Sequence, residues 1–466
     1  MTNRLILAAA ATLACGGLLG AATPVSPTPA GAVGAAGVGD PYLPLAGNGG
    51  LHVRHYALTL SYQPKTRRLD GGAVLSATAT EDLSGFDLDL LGLDVHKITV
   101  DTQPVSWSRD GQELRITLGR TVAKGATFEI AVDYGGKPQS VTDADGSADG
   151  WIALPGDQGA FVAGEPQGAM TWFPCNNHPA DKSSYDVTVT VPAGYTAVSN
   201  GVLRSQRTIN GRSTFAWHES APMAAYLATA SVGRFDVREY WTSGGLPVYT
   251  AVDPAEAADA DPVLDQLPQV IAWSAQNFGP YPFDAAGAIV AHAKDIGYAL
   301  ETQTRPLYDE APDVDTLVHE TAHQWFGDSV TLTQWKDIWL NEGFATYAEW
   351  LWDAAHGGKS THERLAALYA LPATDPLWAN PAGDPGGLAH LFGEPSYARG
   401  AMTLQELREA VGDADFFTIL KRWTSAHRHA HATTADFEAL SASVSHKNLD
   451  ALFATWLYGP GKPAKM

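Results

Sequence analysis

Cysteine is nearly missing from this sequence: Cys15 and Cys175 are the two in 466 residues. Cys15 falls inside an N-terminal apolar run, so a chain cleaved after that run keeps Cys175 alone and forms no intrachain disulfide. Basic residues are also scarce, 30 Lys and Arg against 51 Asp and Glu, for a formal net charge of −21. That balance argues against nucleic acid as a partner and for a soluble, self-repelling surface. No apolar run after the first approaches the length of a membrane span. Repeats of solenoid period are missing too.

The N-terminus reads as an export signal. Met1-Thr2-Asn3-Arg4 carries one positive charge, Leu5 to Leu19 is apolar but too short to cross a bilayer, and Ala21-Ala22-Thr23-Pro24 offers a small-residue exit. Residues 1–22 are expected to be a signal peptide and the protein to be secreted. Leu13-Ala14-Cys15-Gly16 supplies an alternative, lipoprotein anchoring through Cys15. Residues 23–50, rich in Ala, Gly and Pro, are expected to form a flexible leader.

The remaining length suggests two domains. Over residues 51–237 apolar and polar residues alternate, as in Tyr56–Tyr62, Phe86–Leu90 and Thr127–Val132. Asp70-Gly71, Asp110-Gly111 and Asn210-Gly211 read as turns between strands. The expected fold there is an antiparallel β-sandwich or saddle. Over residues 238–463 the period becomes helical, with helices expected near 264–277, 315–327, 337–356, 361–370, 396–411, 414–426, 434–445 and 448–457.

The chemistry concentrates in His319-Glu320-Thr321-Ala322-His323. Residues four apart share one face of a helix, so both imidazoles reach one metal ion. Glu320 then lies beside the open coordination position, where it can act as general base on a water. Leu317, Val318, Ala322, Trp325 and Phe326 supply the buried face, and Asp313 or Asp315 the N-cap. A catalytic zinc usually takes a third protein ligand, and Glu342 in Asn341-Glu342-Gly343-Phe344-Ala345 offers one, eighteen residues beyond His323. Gly343 inside that second helix costs about 1 kcal/mol relative to Ala. Such a glycine makes sense where a backbone approaches closely, or as plain helix packing.

Further segments carry a resemblance. These are Trp172-Phe173-Pro174-Cys175-Asn176-Asn177-His178-Pro179, Gly297-Tyr298-Ala299-Leu300-Glu301-Thr302 and Tyr397-Ala398-Arg399-Gly400-Ala401-Met402. With the metal motif, in this order and from His52 to Pro463, the chain resembles the aminopeptidase N and leukotriene hydrolase family of gluzincin zinc peptidases, as a short, secreted, bacterial-type member. The resemblance implies an N-terminal β domain followed by a mainly α, thermolysin-like catalytic domain holding one Zn2+. It implies His319, His323 and Glu342 as metal ligands, with Glu320 and Tyr397 as catalytic residues. Glu165, Glu301 and Ala299 are implied to contact a peptide substrate, the two glutamates through its free amino terminus.

The sequence departs from the family in places. Tyr298 replaces a glycine of the exopeptidase motif and adds bulk at the first subsite, Thr302 replaces its asparagine, and Ala163 stands where many members have glutamine. Larger members continue beyond the segment ending Tyr458-Gly459-Pro460 into a helical C-terminal domain, so the resemblance implies a more open cleft here. The leading expectation is a secreted zinc aminopeptidase. A thermolysin-type endopeptidase and a non-catalytic peptide-binding pseudoenzyme are the alternatives. Two other segments invite a metal reading: Asp143–Asp149 has the look of a calcium loop without its bidentate glutamate and reads as a solvated turn, and His427-Arg428-His429-Ala430-His431 reads as a surface loop open to adventitious metal binding.

Overall fold

The computed structural model describes residues 31–144 and 146–464. The expected signal peptide, Cys15 and residues 23–30 of the leader lie outside the described residues. Alternation in the N-terminal half builds an eight-stranded sheet. Its order is Val202–Ile209, Arg212–Ala224, Lys182–Pro192, Leu51–Gln63, Arg68–Ala79, Thr127–Gly136, Asp94–Val100 and Gln103–Pro104. Along Leu51–Gln63 the residues Tyr56, Leu58, Leu60 and Tyr62 are buried while their neighbours face outward, which is the pattern of a half-buried strand. A four-stranded and a five-stranded sheet complete this half.

Three details differ from the sequence expectation. Lys182–Pro192 pairs in parallel with Leu51–Gln63, so the large sheet is not purely antiparallel. A parallel neighbour needs a long crossover, and residues 64–181 supply it, carrying further strands of the large sheet and most strands of the two smaller ones. Asp70-Gly71 is not a turn but part of the strand Arg68–Ala79. Gly71 lies opposite Tyr134, and a Cβ at Gly71 would stand 2.4 Å from that ring, so the glycine makes room for a buried aromatic. Asp236–Trp241 spans position 237 and pairs with Pro247–Val252, which places it in the second half of the chain.

Residues 31–50 are not a free leader. Ala32–Val33 pairs with Leu83 and Gly85, and Leu43 and Ala46 are buried. Asp40 accepts hydrogen bonds from Tyr42 N and Leu43 N of its own loop and, at 2.8 Å, from Trp335 N in the second half. Asn48 donates through Nδ2 to Asp89 at 3.0 Å. A stretch held by loop hydrogen bonds and two small apolar anchors has no periodicity to betray it.

The second half contains the helices α1 (Ala257–Leu264), α2 (Leu267–Phe278), α3 (Val314–His323), α4 (Trp339–Ala355), α5 (Thr361–Tyr369), α6 (Gly400–Val411), α7 (Asp413–Ala426), α8 (Thr434–Ser445) and α9 (Asp450–Trp456). They follow the predicted positions, except that α1 is additional and α3 stops at His323 rather than 327. A five-stranded sheet in the order Asp236–Trp241, Pro247–Val252, Ala286–Val290, Leu307–Tyr308, Ala299–Leu300 lies with them, leaving Ala299–Leu300 as an edge. Among the described residues no helix is long and apolar enough to cross a membrane.

The two halves interlock next to the metal motif. Lys182 Nζ donates to the carbonyls of Asp328 and Ser329 at 2.7 and 2.9 Å. Asn200 Nδ2 donates to Gln303 O at 2.8 Å, and Arg305 Nη2 returns a bond to Gly201 O at 2.8 Å. These bonds satisfy buried backbone groups of both halves, so the loops flanking α3 are fixed by the N-terminal domain.

Candidate metal centre

Helix α3 begins where Asp313 accepts a hydrogen bond from Thr316 N at 2.8 Å, as an N-cap should. One face of the helix, with Leu317, Val318 and Ala322, is buried in the core. The rest of the geometry follows from which face is left over. His319 and His323 lie side by side with ring centroids 4.7 Å apart, facing α4. From α4, Glu342 Oε2 stands 3.3 Å from His319 Nε2 and 3.4 Å from His323 Nε2.

The other ring nitrogens are occupied. His319 Nδ1 meets Glu349 Oε1 at 2.6 Å, and His323 Nδ1 meets Phe326 O at 2.9 Å. Both acceptors require N–H at Nδ1, which leaves both Nε2 lone pairs aimed at the common point. Glu349 is absent from the sequence expectation. Its signal is spacing, seven residues after Glu342 on the same helix face, but a glutamate there is ordinarily read as solvated.

These donors fit a metal ion of zinc's preferences. A tetrahedral site with ligand bonds of about 2.1 Å has edges of about 3.4 Å, and the two edges to Glu342 match that spacing. Electrostatics agree. Burial opposes the ionised form of Glu342, yet His323 and His319 hold its carboxyl down to about 2. Burial likewise opposes a charge on His323, but Glu342 and Glu301 reverse it and push the imidazole up to about 9. The negative potential that draws protons onto these rings is the potential a dication would meet.

More carboxylates crowd the same space. Carboxylate oxygens of Glu165, Glu301 and Glu342 lie within 4.8 Å of one another, as do ligand atoms of Glu301, Glu320 and His323. Glu165 follows the strand Ala160–Ala163 of the N-terminal domain, whereas Glu301 follows the edge strand Ala299–Leu300. Each keeps a buried Oε1 without a hydrogen-bond partner. Burial, then the neighbouring Glu301 and Glu342, raises Glu165 well above the ordinary carboxyl range, and burial raises Glu301 as well. Burial pushes Glu320 up to about 7. Buried carboxylates so placed call for cations.

Tyr397 lies on a π-helical turn, Pro395–Arg399, that leads into α6. Its ring stacks on His319 with centroids 6.1 Å apart. Burial, then Glu342, Glu165, Glu301 and Glu320, raises its hydroxyl well above the usual range, so it is a neutral O–H donor. Gln324 supports the opposite wall, donating to Glu301 O at 3.1 Å and accepting from Thr304 N at 2.7 Å. Thr302 donates its hydroxyl to Arg305 O, and Ala163 is fully buried.

Neither secondary metal candidate gathers ligands. Among the described residues every group of three metal-capable side chains lies in the centre above, and none includes Asp143, Asp149 or the histidines at 427–431. Asp149 accepts from Gln167 N, two residues past Glu165. His431 belongs to a short strand paired with Val330–Leu332, its Nδ1 2.9 Å from Thr333 Oγ1.

Comparison with known proteins decides the family. Residues 52–227 match the Peptidase M1 N-terminal domain and residues 276–456 the Peptidase family M1 domain. An M1 zinc metallopeptidase of Deinococcus radiodurans superposes with a TM-score of 0.85 at 30% identity, covering 92% of this chain and 98% of that one. The chain belongs to peptidase family M1.

Curated M1 relatives include a leucyl aminopeptidase of Saccharolobus solfataricus, 24% identical over 89% of this chain and 54% of its own length. Aminopeptidase M1 of Arabidopsis thaliana is 29% identical over 64% of this chain and 36% of its own. The chain thus spans about half the length, or less, of these curated M1 relatives. A mutant of the Deinococcus M1 protein has been solved bound to a Tyr-Ser-Ala substrate, with a TM-score of 0.83 to this chain at 29% identity, covering 92% of this chain and 99% of that one. The zinc of the M1 family is the ion that His319, His323 and Glu342 fit.

Proposed function

We propose that this M1 protein is a zinc aminopeptidase that removes the first residue of peptides. The observation that carries the reading is the pair Glu165 and Glu301, carboxylates from different domains, each with a buried, unpartnered oxygen, beside the metal ligands. An α-amino group has a pKa of about 7.7–8.0 and is largely cationic near neutrality. Binding it between these carboxylates sets the first peptide bond over the metal centre, and acylated or internal residues lack the charge.

His319, His323 and Glu342 hold the zinc, which when bound lowers the pKa of a ligated water and polarises the scissile carbonyl. Glu320 takes a proton from the attacking water at its carboxylate and delivers it to the departing amine nitrogen. The Tyr397 hydroxyl donates to the carbonyl oxygen as negative charge builds there. Ala299, half-buried on the edge strand of its sheet, offers backbone groups along which an extended peptide can pair.

Matched aminoacyl reporters with free and acetylated amino groups, assayed before and after chelation and zinc return, test the proposal. Hydrolysis of free-amine substrates alone, lost on chelation and restored by zinc, is the expected result. Equal hydrolysis of acetylated substrates would favour a thermolysin-type endopeptidase, and persistence after chelation would exclude the zinc mechanism.

A further inference from the structure

A cavity of about 560 Å3 is lined by Thr346, Trp350 and Asp353 of α4, by Lys359 and Arg364 at the start of α5, and by Ala398 next to Tyr397. Ligand atoms of Glu301 lie within 4.8 Å of His323, and Glu301 feels His323 more than His319. His319 turns its Nδ1 the other way, to Glu349. The same face of α4 then continues toward the cavity, since Glu342, Thr346, Glu349 and Asp353 follow at spacings of four, three and four residues. Burial raises the carboxyl of Asp315, one turn before His319; Glu349 adds to the rise and Arg364 opposes it, so Arg364 also borders α3. On the amine side the edge-strand loop is tied to the N-terminal domain, where the Tyr298 hydroxyl donates to Ala148 O at 2.6 Å. The order across the centre is therefore Glu301, His323, His319, Glu349 and then the cavity.

Arg364 has bonding capacity left. Its Nη2 donates to Asp353 Oδ2 at 2.7 Å, and Lys359 N donates to the same carboxylate at 3.2 Å. Its Nε is buried without a hydrogen-bond partner. An unpaired buried N–H costs free energy that an incoming acceptor recovers, and a guanidinium binds a carboxylate best through two parallel N–H groups. Asp353 is the only carboxylate in the lining, already engaged and outnumbered by two cations.

We infer that this cavity receives the far end of a short peptide substrate and that Arg364 binds its terminal carboxylate. The inference rests on the aminopeptidase reading, which fixes the polarity. An amino terminus held at Glu165 and Glu301 sends the rest of the peptide across the metal toward Glu349. Along α4, Thr346 and Asp353 lie about 6 and 16 Å beyond Glu342 at 1.5 Å per residue. An extended peptide advances about 3.3 Å per residue, so a carboxylate reaches this stretch about two to four residues past the cleaved bond. The substrate class is therefore peptides of about three to five residues with a free carboxyl terminus.

The test compares kcat/KM for peptides of leucine followed by alanine runs of increasing length, each as the free acid and as the terminal amide. Wild type, Arg364→Gln and Arg364→Lys are assayed, and a leucyl reporter without further residues normalises each preparation for folding and metal content. Wild type should favour the acid over the amide by on the order of tenfold at about three to five residues, with the preference fading in longer peptides. Arg364→Gln should reduce that ratio to about twofold or less. Arg364→Lys keeps a charge opposite Asp353 but loses the fork, and should lower the ratio by about threefold. Equal use of acid and amide by wild type at every length, or a ratio unchanged in Arg364→Gln, overturns the carboxylate site. If Arg364→Gln does not fold, the ratio in Arg364→Lys decides in the same way.

Amino-acetylated counterparts run alongside report separately on the aminopeptidase reading. If free-amine peptides are not cleaved, calorimetric affinities of zinc-loaded wild type and variants for the leucyl-alanyl-alanine acid and its amide measure the same ratio. An acid preference that falls in the Arg364 variants supports the carboxylate site, and no preference, or one that does not fall, refutes it.

Discussion

Gly343 of α4 and Gly400 at the head of α6 meet backbone to backbone: a Cβ on either would stand 2.9 Å from the other's Cα. Gly343 adjoins Glu342, the proposed metal ligand, and Gly400 follows Tyr397 by three residues. The contact therefore sets how near the tyrosine comes to the ligand set.

Gly343→Ala must push the two helices apart. The expected cost is about 1–3 kcal/mol of stability from overpacking. Activity should fall further, by on the order of 100-fold, because displacement of Tyr397 relative to Glu342 disturbs a reacting geometry. Melting temperature and kcat measured on one preparation check both, and unchanged kcat would refute the link.

Glu349 fixes the tautomer and orientation of His319. Glu349→Ala should weaken zinc binding by about 10- to 100-fold while leaving the fold intact. Competition against a chelator of known affinity, with circular dichroism as control, measures this. Glu349→Gln, which still accepts at Nδ1, should recover part of the loss.

With Glu320 as the proposed base rather than a ligand, Glu320→Gln should retain zinc and lose roughly 10²–10⁴-fold in kcat. Metal content by elemental analysis beside turnover separates the two effects. Loss of zinc together with activity would move Glu320 into the ligand set.

Glu301→Gln removes one of the charges proposed to hold the amine. The expected result is a fall of about 10- to 100-fold in kcat/KM for free-amine substrates, mainly through KM. A proportional fall on uncharged analogues would show that Glu301 acts on the metal centre instead.

Glu113 predicts a pH effect remote from the site. Both its oxygens are buried without hydrogen-bond partners, and burial, then Asp89 and Asp87, pushes its carboxyl up to about 8. A folded-state pKa above the unfolded value of about 4.3 means that the group favours folding fully below pH 4.3 and progressively less up to pH 8. Glu113→Gln should flatten the decline of melting temperature between pH 5 and 8 and raise it at pH 8 by about 2 °C. A slope identical to wild type would refute the assignment.

The metal triad was legible in sequence because its information is local: a four-residue repeat and a second helix of clear period bring the ligands together. Glu165 and Glu301 have no such signal, and family resemblance alone pointed to them before the structure brought their carboxylates together. The Tyr298–Ala148 bond joins residues 150 apart in the chain, and the parallel pairing of Leu51–Gln63 with Lys182–Pro192 is equally non-local. Nothing in either segment's own pattern encodes its partner. Gly71 misled for a related reason, since the tyrosine that requires it arrives from another strand.

Asp40 gives residues 31–50 a consequence for any proteolytic trimming of the N-terminus. Its carboxylate caps Trp335 N at the start of the turn that runs into α4, the helix bearing Glu342 and Glu349. A processing protease that cuts before Gly31 leaves that cap in place. One that trims to Leu51 removes it, loosening the base of the metal-bearing helix from a cleavage point far from the catalytic motif in sequence. The segment most easily mistaken for disposable linker thus sets the limit of permissible trimming.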